Sequence, residues 1–102
     1  MSWRIEFRPE VEEDVAAAAG WYESREPGLG LDFVEEIIRA WEAIATQPLI
    51  GSRRHASLHI RWRYPERFPY RIIYRVDEET ETILFIAVLH AARHESRWHE
   101  RI

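Results

Sequence analysis

Tyr70-Arg71-Ile72-Ile73-Tyr74-Arg75-Val76 decides the fold of this chain. Tyr70, Ile72, Tyr74 and Val76 alternate with Arg71, Ile73 and Arg75, the period of a β-strand whose successive side chains point to opposite faces. Downstream, Asp77-Glu78-Glu79-Thr80-Glu81 is a polar turn, and Ile83–Leu89 is apolar throughout. An unbroken apolar run of that length fits a strand buried on both faces. Upstream, Leu58–Tyr64 alternates again, with Ile60, Trp62 and Tyr64 on one side and His59, Arg61 and Arg63 on the other. These three strands predict a sheet with one core face and one face carrying Arg61, Arg63, Arg71 and Arg75.

The first half of the chain is helical. Trp3-Arg4-Ile5-Glu6-Phe7 reads as a half-buried strand. Arg8-Pro9-Glu10 then starts a helix, because proline suits a first turn and Glu10, Glu12, Glu13 and Asp14 suit its positive end. Val11, Val15, Ala18, Ala19 and Tyr22 form its buried stripe. Glu26-Pro27-Gly28-Leu29-Gly30 breaks the chain. Asp32 and Glu35 form an expected N-cap pair for a second helix. Phe33, Ile37, Ala40, Trp41 and Ile44 share one face of that helix, and Gln47-Pro48 stops it. Arg93–Arg101 reads as a short helix or tail. The order β-α-α-β-β-β predicts an α+β fold, a helical hairpin packed on a small, mainly antiparallel sheet. With 102 residues, the span 1–102 reads as a single domain.

The charge is polarised. Residues 53–75 hold seven Arg and one acid, a sum of +6, in a chain of net charge −4. Residues 1–52 hold four Arg and eleven acids, or −7, and residues 76–102 hold three Arg and six acids, or −3. Such asymmetry points to an anionic partner for the basic stretch. All fourteen basic residues are Arg, a pattern that GC-rich coding explains better than a need for planar, bidentate charge does, since Arg25 and Arg39 have no evident role. The absence of Cys removes disulfides, thiolate metal sites and a cysteine nucleophile. The charged start Met1-Ser2-Trp3-Arg4-Ile5-Glu6 has no apolar signal region, and no apolar run approaches the roughly 20 residues needed to span a bilayer. A cytoplasmic location is expected.

Several stretches together resemble one family. They are Phe7-Arg8-Pro9-Glu10-Val11 leading to Trp21-Tyr22-Glu23, then Pro27-Gly28-Leu29-Gly30 with Phe33, and Pro48-Leu49-Ile50-Gly51. Phe68-Pro69-Tyr70-Arg71-Ile72-Ile73-Tyr74-Arg75-Val76 is the most specific, followed by Ile86-Ala87-Val88-Leu89-His90-Ala91-Ala92-Arg93 and Trp98. In this order they are similar to toxins of the RelE/ParE superfamily, the toxin half of bacterial type II toxin–antitoxin modules, often called plasmid stabilisation proteins. The resemblance implies that fold, growth inhibition, and neutralisation by an antitoxin whose C-terminal segment wraps the toxin. It implies two alternative actions. RelE-like members enter the ribosomal A site and cut mRNA. ParE-like members poison DNA gyrase and cut no RNA.

In RNA cleavage a 2′-OH attacks the adjacent phosphate, so the protein must move a proton and neutralise developing charge. Arginine offers phosphate oxygens a planar donor fork. By resemblance, Arg71 and Arg93 map onto ribonuclease positions, with His94 as the counterpart of the acid, base or stacking residue. Arg61, Arg63, Arg71, Arg75 and Trp98 are the expected nucleic-acid or partner contacts. Each Arg taken singly reads rather as a solvated, ion-paired surface residue, and the four as a cluster read as a functional surface. Tyr70, Tyr74, Trp62 and Tyr64 read as core aromatics rather than stacking platforms. His90, His94 and His99, with His55 and His59 as extras, lack a carboxylate spaced to complete a metal site. No nucleophile elbow or Gly-rich phosphate loop is present, so no cofactor is expected.

The acidic bulk, with a pI near 5.7, favours ParE-like action on gyrase or another non-nucleolytic target. A ribosome-dependent endoribonuclease, or a degenerate module that only binds its antitoxin, are the alternatives, so enzymatic activity stays open. A homodimer or a toxin–antitoxin hetero-oligomer is the expected assembly.

Overall fold

The computed structural model describes residues 3–50, 53–54, 59–92, 98 and 100–101. The elements run β1 (Arg4–Phe7), α1 (Pro9–Arg25), α2 (Leu29–Thr46), β2 (Arg53–Arg54), β3 (Ile60–Arg63), β4 (Tyr70–Asp77) and β5 (Thr82–His90). The strands form one sheet in the order β1-β5-β4-β3-β2. β1 runs parallel to β5, and the other three pairings are antiparallel. The expected α+β architecture is therefore present. β2 is an addition: two residues carry no periodicity from which a strand could be read.

Each long element forms for local reasons. Pro9 sits in the first turn of α1, with Glu10 and Glu12 at its positive end. The expected Asp32–Glu35 cap does not form. α2 starts earlier, at Leu29, and Gly28 caps it in the left-handed conformation at φ +89°. Its exposed N–H groups are satisfied from the other helix. Glu23 of α1 accepts from Gly28 N–H at 3.0 and 3.1 Å and from Gly30 N–H at 3.0 Å. A carboxylate there also faces the positive end of α2. Gly30 lets the helices meet, because a Cβ on it would lie 2.6 Å from the Ala19 carbonyl oxygen.

Between the helices and the sheet lies a core of Val11, Phe33, Ile37, Ile44, Ile72, Tyr74, Ile83 and Phe85. Tyr74 is wholly buried, and its hydroxyl donates to the Pro48 carbonyl at 3.1 Å, fixing the exit of α2 to the sheet. A second cluster lies on the far face of the sheet: Ile60, Ile73, Ile86, Ala87, Leu89 and Trp98, with Trp62 and Leu84 against it. The single core face expected from alternation is thus corrected to two, as the apolar run of β5 requires.

The register explains how. In β4, Ile72, Tyr74 and Val76 face the helices, so Arg71, Ile73 and Arg75 face away. Residues directly paired across strands share a face. Arg61 pairs with Tyr74 and Arg63 with Ile72, while Ile60 pairs with Arg75 and Trp62 with Ile73. The expected common Arg face is therefore split. Arg61 and Arg63 lie on the helix side, Arg71 and Arg75 on the far side. β5 carries a bulge: Ile73 pairs with Ala87 and Tyr74 with Phe85, leaving Ile86 as the extra residue.

Candidate functional site

The Arg positions differ in exposure as well as in face. Arg71, paired with Leu89 in the far-face cluster, is 8% exposed. Arg75 is exposed. Arg61 is half-buried, and its Nη1 donates to the Leu49 carbonyl at 3.4 Å, so it braces the segment after α2. Arg63 is half-buried on the same side. The structure thus brings the expected Arg residues together in pairs, Arg61 with Arg63 and Arg71 with Arg75, and not as one cluster. Arg93 and His94 lie outside the described residues. Trp98, expected at a binding surface, is 1% exposed in the far-face cluster. This corrects that reading: its indole contributes packing, and reaching a partner would require opening the cluster. Among the expected core aromatics, Tyr64 is 47% exposed and Tyr70 half-buried.

A buried ion pair stands out beside these residues. Arg101 donates from Nη1 to Asp14 Oδ2 at 2.6 Å and from Nη2 to Asp14 Oδ1 at 3.1 Å. Asp14 Oδ2 also accepts from Val88 N–H at 3.0 Å, and Arg101 Nη1 also donates to the Ile86 carbonyl at 3.2 Å. β1 pairs with Thr82–Phe85, and among the described residues the rest of β5 has no strand on that side. The Asp14–Arg101 pair takes two of its backbone groups, next to the bulge. Hydrogen bonding to Asp14 raises the Arg101 pKa further above its ordinary value, and Glu10 and Glu13 act in the same direction. The sequence carries no sign of this pair, because its partners are 87 residues apart.

Two grooves lie beside the helical layer among the described residues. One, of about 600 Å³, lies where α1, α2 and the end of β1 meet and is lined by Phe7, Val11, Val15, Ala16, Val34 and Trp41 among others. Phe7 stacks on Phe85 at 5.0 Å and meets Trp41 edge-on at 5.0 Å, yet remains 48% exposed. The second groove runs between α1 and the uncovered edge of β5, past Trp21, Tyr22, Tyr70 and His90. Burial raises the Tyr22 pKa above its ordinary value, so its hydroxyl stays protonated at neutral pH. Arg25 stacks over Trp21 at 4.4 Å. Among the described residues no group of His, Asp and Glu is arranged to hold a metal ion, and no helix is long and apolar enough to cross a membrane.

Comparison with known proteins agrees with this architecture. The ParDE toxin–antitoxin system of P. aeruginosa contains a chain that superposes with a TM-score of 0.75 at 18% identity, covering 87% of this chain and 96% of that one. A free RelE toxin variant from E. coli superposes at 0.68 with 16% identity, covering 100% of this chain and 99% of that one. A chain of the RelBE2 toxin–antitoxin complex of Mycobacterium tuberculosis gives 0.58 at 18% identity, covering 88% and 99%. Comparison with curated protein sequences finds no match. At these identities the structures speak for the fold alone. The family model for the ParE toxin of type II toxin–antitoxin systems, parDE, matches residues 5–95, which carry both described helices and, apart from Arg4, all the described strands. By that match the chain belongs to the ParE toxin family of type II toxin–antitoxin systems.

Proposed function

We propose that this chain inhibits growth by a ParE-like action on DNA gyrase or another non-nucleolytic target in the cytoplasm, and that a bound antitoxin neutralises it. Paired with that antitoxin, it would stabilise a plasmid that encodes both. The family match supports the toxin reading, and the known relatives of this fold include toxin–antitoxin complexes. The observation that carries the preference for a non-nucleolytic target is the placement of the arginines. Phosphate cleavage needs cationic donors that converge on one exposed point. Among the described residues, Arg71 is 8% exposed, and Arg61 and Arg63 lie on the opposite face of the sheet.

Two assays on the purified, antitoxin-free protein test this. The expected result is intact mRNA on programmed ribosomes together with inhibition of gyrase supercoiling. Codon-specific mRNA cleavage that disappears in Arg71→Ala would replace this reading with a RelE-like endoribonuclease. Absence of both activities and of growth arrest would leave only an antitoxin-binding module.

A further inference from the structure

β1 is an open edge of the sheet. It ends the order β1-β5-β4-β3-β2, and among the described residues no strand covers its outer side. All its residues are exposed, including Ile5 at 37% and Phe7 at 48%. The backbone phase of this edge is fixed by its other side. Arg4 N–H donates to the Glu81 carbonyl and Arg8 N–H to the Phe85 carbonyl, each at 2.8 Å. The N–H and C=O groups of a strand alternate sides from residue to residue. Those of Ile5 and Phe7 therefore point outward, with Trp3 in the same phase.

Side chains divide with the same period. Ile5 pairs with Ile83 and Phe7 with Phe85 on the helix side of the sheet, where Trp3 also packs on the core. Arg4 and Glu6 lie on the far side, 3.4 Å apart, with side chains 68% and 50% exposed. Edge strands commonly carry charge that blocks pairing with another chain. Here the two charges are opposite, and their order makes the strand its own complement. A two-fold axis through Ile5, relating antiparallel copies of β1, sets Ile5 against Ile5, Trp3 against Phe7 and Arg4 against Glu6. The outward groups of Ile5 then exchange both hydrogen bonds with their counterparts, and those of Trp3 and Phe7 do the same. The neighbouring registers fail. An axis at Glu6 opposes Glu6 to Glu6 and Arg4 to Arg8, and an axis at Arg4 opposes Arg4 to Arg4. An axis between two residues opposes outward groups to inward ones. At the other edge of the sheet β2 is only two residues long, and both are Arg, so self-pairing there would oppose like charges.

We propose that the free chain pairs with a second copy of itself through β1, in the register centred on Ile5, so that one sheet runs through both copies. The pairing is independent of the target on which the toxin acts. Sedimentation equilibrium of the purified, antitoxin-free chain tests it, and wild type should self-associate as concentration rises. Arg4→Glu and Glu6→Arg each oppose like charges across the axis. Either alone should weaken association at least about tenfold, with circular dichroism unchanged because both side chains are exposed. An equimolar mixture of the two variants opposes unlike charges again, and should recover association to within about threefold of wild type. That recovery separates pairing across the axis from the Arg4–Glu6 ion pair within one strand, which the mixture leaves broken. In hydrogen exchange at rising concentration, the Ile5 and Phe7 amides should gain protection, and the Arg4 amide, already bonded to Glu81, should change less. A wild-type chain that stays monomeric to about 1 mM would overturn the proposal. So would association indifferent to both charge changes, or a mixture that associates no better than either variant alone.

Discussion

Replacing Asp14 by alanine should be among the most damaging single changes in this protein. The Asp14 side chain is 10% exposed and that of Arg101 is 15% exposed, so both charges are largely out of water. The substitution removes the acceptor of three hydrogen bonds, two from Arg101 and one from Val88 N–H. The guanidinium keeps only the Ile86 carbonyl at 3.2 Å. Removing one partner of a buried pair costs about 3–5 kcal/mol, because the other charge stays behind. The remaining carbonyl and the favourable fields of Glu10 and Glu13 place this case at the lower end, about 3 kcal/mol. For a domain of this size that lowers the melting temperature by about 12–24 °C. Arg101→Ala should cost less, about 2 kcal/mol, since Asp14 keeps a backbone donor, the Val88 N–H at 3.0 Å. The double variant should be no worse than Asp14→Ala alone, giving a coupling of at least about 2 kcal/mol. Urea unfolding at neutral pH, followed by tryptophan fluorescence and circular dichroism, measures all three. A loss below about 1 kcal/mol for Asp14→Ala, or additive single variants, would refute the claim that this pair holds α1 to the bulged part of β5.

Three further outcomes follow from the packing and the turns. Glu23→Ala should cost about 1–2 kcal/mol by uncapping α2, and Glu23→Gln less, because an amide oxygen still accepts one bond; urea midpoints separate the two. Gly30→Ala should destabilise by about 1–3 kcal/mol despite the better helix propensity of alanine, since the new methyl would press on the Ala19 carbonyl; calorimetry gives the sign. At the β4–β5 turn, hydrogen bonds from the Thr80 backbone N–H, then the Thr80 side chain and the Glu79 N–H, hold Asp77 below its ordinary pKa of 3.8. A depressed carboxylate stabilises the folded state above its unfolded pKa, and that contribution fades as pH falls through the folded value. Acid titration of wild type and Asp77→Ala should therefore show a stability gap that is constant near neutrality and closes below about pH 3.8. A gap that persists unchanged at pH 2 would exclude this role.

The two helices, the strands β1, β3, β4 and β5 and their order were legible in the sequence because each depends on local period, whereas the two-residue β2 was not. Five apolar residues of α1 and five of α2 recur at helical spacing, and β3, β4 and β5 show alternation or an unbroken apolar run between polar turns. Membership of the toxin family was legible in the same way, from short stretches in a fixed order. Tertiary structure alone decided which way the strands face. A register shift of one residue turns every side chain to the other side of a sheet. The alternation of β3 therefore could not say whether Arg61 would share a face with Arg71 or with Tyr74, and pairing with β4 placed it beside Tyr74. The Glu23 cap, the bulge at Ile86 and the Asp14–Arg101 pair were equally hidden. Each joins groups that approach only once two elements have packed, α1 on α2, β4 on β5 and α1 on β5, and no local pattern encodes a contact whose partners are set by packing. The exposed Leu31 and Ile38 of α2 lie between these cases. The helical spacing of Leu31 and Ile38 is present in the sequence, but only the folded core shows that they are left over from it.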